Sequence, residues 1–146
     1  MQSILTVCVG NICRSPVAAA LLRADLPDVH VSSAGIAALV GEDVDPTARQ
    51  VAEAAGVILE PHRARQFTPA IGEQNDLILV LEAGHKREIE RLAPQLSGRV
   101  MRLGRWTGDR DIPDPYLKPQ AFHEDVFQQI REAATAWAHR LSPQKG

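Results

Sequence analysis

Cysteine is scarce. There are two in 146 residues, Cys8 and Cys13, five positions apart. So small a set excludes a disulfide framework and agrees with a reducing compartment. The pair lacks CxxC spacing and a second ligand pair, so zinc is not expected, and no metal or other cofactor is called for. Charge of one sign is not in excess either. The formal net charge is −2, which gives no global argument for nucleic-acid or anionic-membrane binding, so any anion site must be local. Long hydrophobic runs are missing, with nothing approaching the ~18 apolar residues of a membrane span, and no membrane insertion is expected. The opening MQSILTVCVG lacks a basic region and a small-residue cleavage site, so it reads as a first strand rather than a signal peptide. The expected localisation is cytoplasmic. Internal repeats and low-complexity tracts are absent, and only the tail 142–146 (SPQKG) reads as disordered. What remains is ordinary globular composition, 45% apolar and 23% charged, of a length that fits one domain over 1–146.

Apolar β-rich runs alternate with helical patterns along the chain. Residues 3–9 read as a short buried strand. Ser15-Pro16 then gives an N-cap followed by proline at the first helical position, opening a helix through VAAALLRADL. Residues 29–33 read as a second strand and 34–44 as a loop. Asp45-Pro46 repeats the helix-start signal, and that helix closes at Gly56. Residues 76–81 (DLILVL) are apolar on both faces, the mark of a strand inside a parallel sheet. A charged helix follows over 84–92, then a short strand over 99–103. The last helix carries a stripe of Phe122, Val126, Ile130, Ala133, Trp137 and Leu141. Four strands alternating with helices predict an α/β three-layer sandwich, a four-stranded parallel sheet of the flavodoxin or Rossmann-like kind built from right-handed βαβ units. Ligands in such folds sit beyond the carboxyl ends of the strands. Cys8 to Ser15 is that connection for the first strand.

The connection reads CVGNICRS. The N-terminus of the following helix offers unpaired N–H groups and about half a positive charge. Gly10 and Asn11 are the residue types most tolerant of positive φ, which lets the loop Cys8, Val9, Gly10, Asn11, Ile12, Cys13, Arg14 curl its N–H groups around one anion. Arg14 adds a planar fork that matches two phosphate oxygens. Cys8 stands where this positive field is aimed, a setting that favours a thiolate. A cysteine closing a strand is commonly a core residue, and C-x5-R alone is a weak motif. At a strand-to-helix junction, with glycine and asparagine inside, the pattern points to an anion cradle with a nucleophile on its floor. No Gly-Lys-Ser/Thr follows, which excludes a Walker-type loop.

A thiolate attacking a phosphate monoester must expel an oxygen leaving group. That step gains roughly 10²–10⁴ from a general acid. The unpatterned segment DIPDPYLKP supplies one in Asp114, held between Pro113 and Pro115 on a stiff loop. Asp-Pro is also a common turn signal; the pairing with the cysteine loop makes the catalytic reading the stronger.

Together CVGNICRS and the distal DPY resemble the low molecular weight protein tyrosine phosphatase family, over essentially the whole chain. The resemblance implies that Cys8 forms a phosphocysteine, that Arg14 binds phosphate and transition state, and that Asp114 is general acid and then general base. It further implies that Ser15 hydrogen-bonds the thiolate, and that Asn11 holds the loop in shape, tied to Ser33 and His62. Tyr116 would form an aromatic pocket wall. Ser15 is also a candidate N-cap, His62 fits an ordinary loop histidine, and Arg65 is read as an inward-facing structural ion-pair partner. Animal members carry an aromatic residue on the loop after the second strand, where this chain has Leu39 as the corresponding wall. That pattern is similar to the bacterial subgroup associated with exopolysaccharide or capsule export, whose partners are tyrosine autokinases. The resemblance therefore implies a phosphotyrosine protein as substrate, with inorganic phosphate or vanadate as inhibitors. Tyr116 is the only tyrosine, and Leu117 follows it, so the chain lacks the two adjacent tyrosines that are phosphorylation sites in some relatives. Cys13 is a redox candidate, placed to trap an oxidised Cys8, or simply a small apolar loop residue.

Two rivals share this fold. A thiol arsenate reductase needs resolving cysteines on a mobile segment near the third strand, and none stands there. A phosphocysteine carrier of a sugar phosphotransferase system has no use for Arg14 and Asp114.

Overall fold

The computed structural model describes residues 1–142. Four strands form one parallel sheet: β1 (Ser3–Cys8), β2 (His30–Gly35), β3 (Leu77–Val80) and β4 (Val100–Arg102), in the order β2-β1-β3-β4. Strand β1 is central, with Cys8 opposite Gly35 on one side and Val7 opposite Val80 on the other. The chain leaves β1 toward β2, while β3 lies on β1's other side. The carboxyl end of β1 is therefore a topological switch point, where open α/β sheets bind ligands.

Strand alternation splits the core in two. Ile4, Cys8, Leu77, Leu79 and Leu81 face a layer made by helices α1 (Arg14–Asp25), α2 (Pro46–Ala54) and α5 (Gln120–Leu141). Leu5, Val7, Ile78 and Val80 face the other side, where Phe67 packs near the short helix α3 (Pro69–Glu73) and Ile89 belongs to α4 (Ala83–Leu92). This is the three-layer sandwich expected.

Helix α2 begins as its sequence predicts: the Asp45 carboxylate accepts from the N–H groups of Thr47 and Ala48, with Pro46 in the first turn. Gly56 follows the helix with φ +85°, a left-handed conformation that glycine adopts without strain. Strand β2 runs two residues beyond the predicted end at Ser33, because Ala34 and Gly35 continue the ladder on Val7 and Cys8. Helix α3 went unread, its Thr68-Pro69 start carrying too few residues to show a period. The stripe on α5 is displaced at its start. Phe122 is exposed, and His123 takes the inward position ahead of Val126 and Phe127. Of the tail, Ser142 closes α5 by donating to the Ala138 carbonyl; the predicted disorder otherwise falls on 143–146, outside the described residues. No helix among the described residues is long and apolar enough to cross a membrane.

Candidate active site

Loop Cys8–Arg14 has its shape imposed by what holds its carbonyls. The carbonyl of Cys8 accepts from Ile36 N–H, that of Val9 from Ala37, that of Gly10 from Leu39 and that of Ile12 from Asp45. The Asn11 carbonyl takes a hydrogen bond of 2.6 Å from His62 Nε2. Five consecutive carbonyls thus point outward. In a planar trans peptide the C=O and the following N–H point in opposite directions, so the N–H groups of Val9 to Cys13 point inward. Among the described residues, no N–H from Gly10 to Cys13 has a protein acceptor. They form an anion nest at the start of α1.

Asn11 fixes the bend. It is fully buried and has φ +60°, a left-handed conformation asparagine tolerates better than most residues. Its Nδ2 donates to Ser15 Oγ (2.8 Å) and Ser33 Oγ (2.9 Å), and its Oδ1 accepts from the Arg65 N–H (3.0 Å). Gly10 does not adopt positive φ, and a Cβ there would meet only ordinary contacts with Ile12 and Leu39; Asn11 alone turns the loop. The glycine the loop requires is Gly35 on β2, where a Cβ would stand 2.4 Å from the Val9 carbonyl oxygen.

Ser15 is not the N-cap. Helix α1 starts at Arg14, two residues before the expected first helical position Pro16, and the N-cap position is Cys13, without a side-chain bond. Ser15 Oγ accepts from Asn11 Nδ2, lies 2.9 Å from Cys8 Sγ in a hydrogen bond that either atom can donate, and reaches the Ala34 carbonyl at 3.5 Å. Thr6 Oγ1 secures the junction from below by donating to the Ser15 carbonyl at 2.8 Å. Cys13 is buried, and burial first, then the Asp45 carboxylate, pushes its thiol up out of the range where it ionises.

Arg14 is 1% exposed. Its Nη1 donates to Glu82 Oε2 (2.6 Å) and to the Ile112 carbonyl (2.7 Å). Nε has no partner among the described residues, and Nη2 lies 3.8 Å from Asp114 Oδ2. One edge of the guanidinium is thus anchored and the other left available. The same bond fastens the acid-bearing loop, whose Ile112 N–H also reaches the Leu81 carbonyl. Asp114 Oδ1 accepts from the Tyr116 N–H (3.0 Å). Asp114 is held by this fastening as well as by its flanking prolines.

Cys8, Arg14 and Asp114 line one cleft of about 160 Å³, with Ala37, Leu39 and Tyr116 among its other walls. A wider, shallower groove of about 490 Å³ between α2 and α5 contains none of these residues; chemistry rather than size decides the site. Ser33 and His62 lie behind the loop, each hydrogen-bonded to Asn11. Arg65 departs from expectation: it is exposed, its Nε donates to the Ser33 carbonyl, and no carboxylate pairs with it among the described residues. Glu82 was missed. The signal available was a lone acid at the carboxyl end of a fully buried strand. Among the described residues no three His, Cys, Asp or Glu side chains are grouped to hold a metal ion.

The family model for "Low molecular weight phosphotyrosine protein phosphatase" matches residues 3–145. The chain belongs to that family. As the family's description says, it is a protein-tyrosine phosphatase, a hydrolase of phosphotyrosine. It is 45% identical over 141 residues to the low molecular weight protein-tyrosine-phosphatase Etp of Escherichia coli K12, covering 97% of this chain and 95% of Etp. Its fold matches the tyrosine phosphatase Wzb of Escherichia coli K30 in complex with sulphate, at TM-score 0.95 and 42% identity, covering 97% and 99% of the two chains. Vibrio vulnificus Wzb in complex with benzylphosphonate matches at TM-score 0.94 and 44% identity, covering 96% and 99%.

Proposed function

We propose that the phosphatase works through Cys8, Arg14 and Asp114 as follows. The phosphoryl group of a phosphotyrosine enters the nest, its oxygens facing the inward N–H groups and Arg14 Nε and Nη2. Cys8 Sγ attacks phosphorus, an S–P bond forms and the P–O bond to the ring breaks. Asp114 gives its proton to the departing phenolate oxygen. In the second step Asp114 takes a proton from water, the water oxygen bonds phosphorus, the S–P bond breaks and inorganic phosphate leaves. The Ser15 hydroxyl, 2.9 Å from Sγ, donates to the thiolate and stabilises it in both steps. These groups act where charge develops, and they are fixed before substrate arrives. The observation that carries this reading is the outward fastening of five consecutive carbonyls around Cys8, with Asp114 in the same cleft.

The walls favour an aryl phosphate. Leu39 and Tyr116 are apolar surfaces about 40% exposed, suited to sandwiching a ring and giving nothing to a short polar side chain. Benzylphosphonate, which occupies the Vibrio vulnificus relative, combines an aromatic ring and a phosphonate in the same way. The aliphatic Leu39 offers less stacking than an aromatic wall. Flanking-residue recognition is then shallow, which suits clustered, interchangeable phosphotyrosines. The physiological substrate we propose is a bacterial tyrosine autokinase of polysaccharide export, met in the cytoplasm, with inorganic phosphate and vanadate as competing anions.

The test is kcat/KM on matched peptides. Phosphotyrosine peptides should turn over with little dependence on flanking sequence, and phosphoserine peptides very poorly. Comparable rates on phosphoserine overturn the pocket argument, and strict dependence on one flanking sequence overturns the clustered-substrate part.

A further inference from the structure

Arg14 depends on Glu82, and the structure offers a reason why Glu82 stays in place. Three rotatable bonds separate that carboxylate from its backbone, and its side chain is 34% exposed, so water competes for it on one side. On the other side stands His85, from the first turn of α4, with Nε2 3.4 Å from the same Oε2 that receives Arg14. His85 is 7% exposed. Its Nδ1 is buried without a partner among the described residues, and the carboxylate within 4 Å of its other nitrogen is that of Glu82, at the long distance of 3.4 Å. A buried polar ring that makes no other such contact is a cost to the fold unless that contact serves a purpose.

We propose that His85 is a positioning residue: by presenting Nε2–H to Glu82 Oε2 it keeps that carboxylate on Arg14 Nη1 and so leaves Arg14 Nε and Nη2 facing the phosphoryl group. The inference rests on the role assigned to Arg14 above. The role requires the ring's single proton on Nε2, where a lone pair would instead face the carboxylate. Burial first, then the charge of Arg14, hold His85 below its usual pKa, against the opposing pull of Glu82, Asp111 and Asp114. The ring is therefore a neutral donor at neutral pH. A cation at this point would compete with Arg14 for Glu82 and repel the guanidinium; a neutral N–H restrains the carboxylate without taking it away.

The experiment uses the full chain with p-nitrophenyl phosphate as substrate and inorganic phosphate as competitor. H85L keeps the bulk and removes the donor; it should lower kcat/KM about tenfold and weaken phosphate inhibition by a similar factor. H85Q, whose amide nitrogen reaches the Nε2 position, should stay within about threefold of wild type. In an E82Q background, adding H85L should change either quantity less than twofold, because the group through which His85 acts has been altered. A purely structural role would lower both by the same factor in either background. Wild-type values in H85L overturn the inference, as does an equal loss with and without E82Q. Should H85L not fold, H85N takes its place: its amide reaches only the Nδ1 position, the same loss is expected, and wild-type activity overturns the idea. R14A separates the two readings. If it retains phosphate inhibition, the role given to Arg14 fails; if it loses inhibition while H85L does not, only the inference about His85 fails.

Discussion

Asn11 is the residue whose replacement most directly tests how the phosphate loop is held. Its side chain makes three hydrogen bonds, two buried ones to Ser15 and Ser33 and a partly buried one from the Arg65 N–H, and it occupies φ +60°. At about 1 kcal/mol net for each bond, losing all three costs about 3 kcal/mol. Alanine adds roughly 1 kcal/mol for the left-handed conformation, which glycine avoids. Both variants should fold, since a domain of this kind has about 5–15 kcal/mol in hand. Urea denaturation should place N11G and N11A well below wild type, with N11A the lower. Activity should fall further than stability suggests, because misaligned oxyanion donors cost roughly 10²–10³ in rate each. A loss of at least about 100-fold in kcat/KM on p-nitrophenyl phosphate is expected for N11A at a temperature where it is fully folded. If N11A loses its stability yet keeps kcat/KM within a few-fold, the asparagine is scaffolding for the core and the nest is held by its carbonyl ties alone. Equal stability of N11A and N11G would refute the strain argument.

Other variants probe the remaining parts. C8S should abolish turnover while vanadate and phosphate still bind, since the nest and Arg14 persist; appreciable activity in purified C8S would remove Cys8 from the mechanism. D114A should slow aryl phosphates with poor leaving groups, such as phenol at pKa ~10, far more than activated ones, and a uniform loss across a leaving-group series would mean that Asp114 is not the proton donor. Peroxide converts a thiolate to a sulfenic acid; Cys13, kept as a thiol by burial, escapes that first oxidation and should then condense with oxidised Cys8, releasing water and forming a disulfide. Dithiothreitol should therefore restore wild type after peroxide but leave C13S inactive, and equal recovery of both counts against a redox role.

What the sequence made legible was whatever is encoded locally. The Asp45-Pro46 start of α2, the both-faces apolar β3 and the loop at the end of β1 each lie within a few adjacent residues, so propensity and spacing reveal them. Cys8, Arg14 and Asp114 were legible because cysteine, arginine and a proline-flanked aspartate carry distinctive chemistry. The rest depends on contacts between segments far apart in the chain. Glu82 meets Arg14 across 68 residues, and its neighbours EAGHKRE read only as an ordinary charged helix. Gly35 is required by the Val9 carbonyl approaching from the adjoining segment, a crowding that exists only after the strands pair. Ser15 was misread as a cap because serine before proline is a sound helix start; tertiary structure used its hydroxyl for Cys8 instead. Phe122 fitted the stripe on α5 by spacing, but the inward face begins one residue later.

The five carbonyl ties have a consequence for how the protein responds to its ligand. The donors Ile36, Ala37, Leu39, Asp45 and His62 come from the stretch after β2, the start of α2 and the coil before α3. Loop Cys8–Arg14 has no hydrogen-bonded structure of its own to fall back on. A partly folded chain with the sheet formed but residues 36–62 loose would have no affinity for phosphate, so binding reports on the cooperative, completed fold. An anion held by the folded state alone then stabilises the whole domain, by about 2.7 kcal/mol at a hundred times its Kd. Slow amide exchange at Ile36, Ala37, Leu39 and Asp45 would register that occupancy outside the loop that binds the anion.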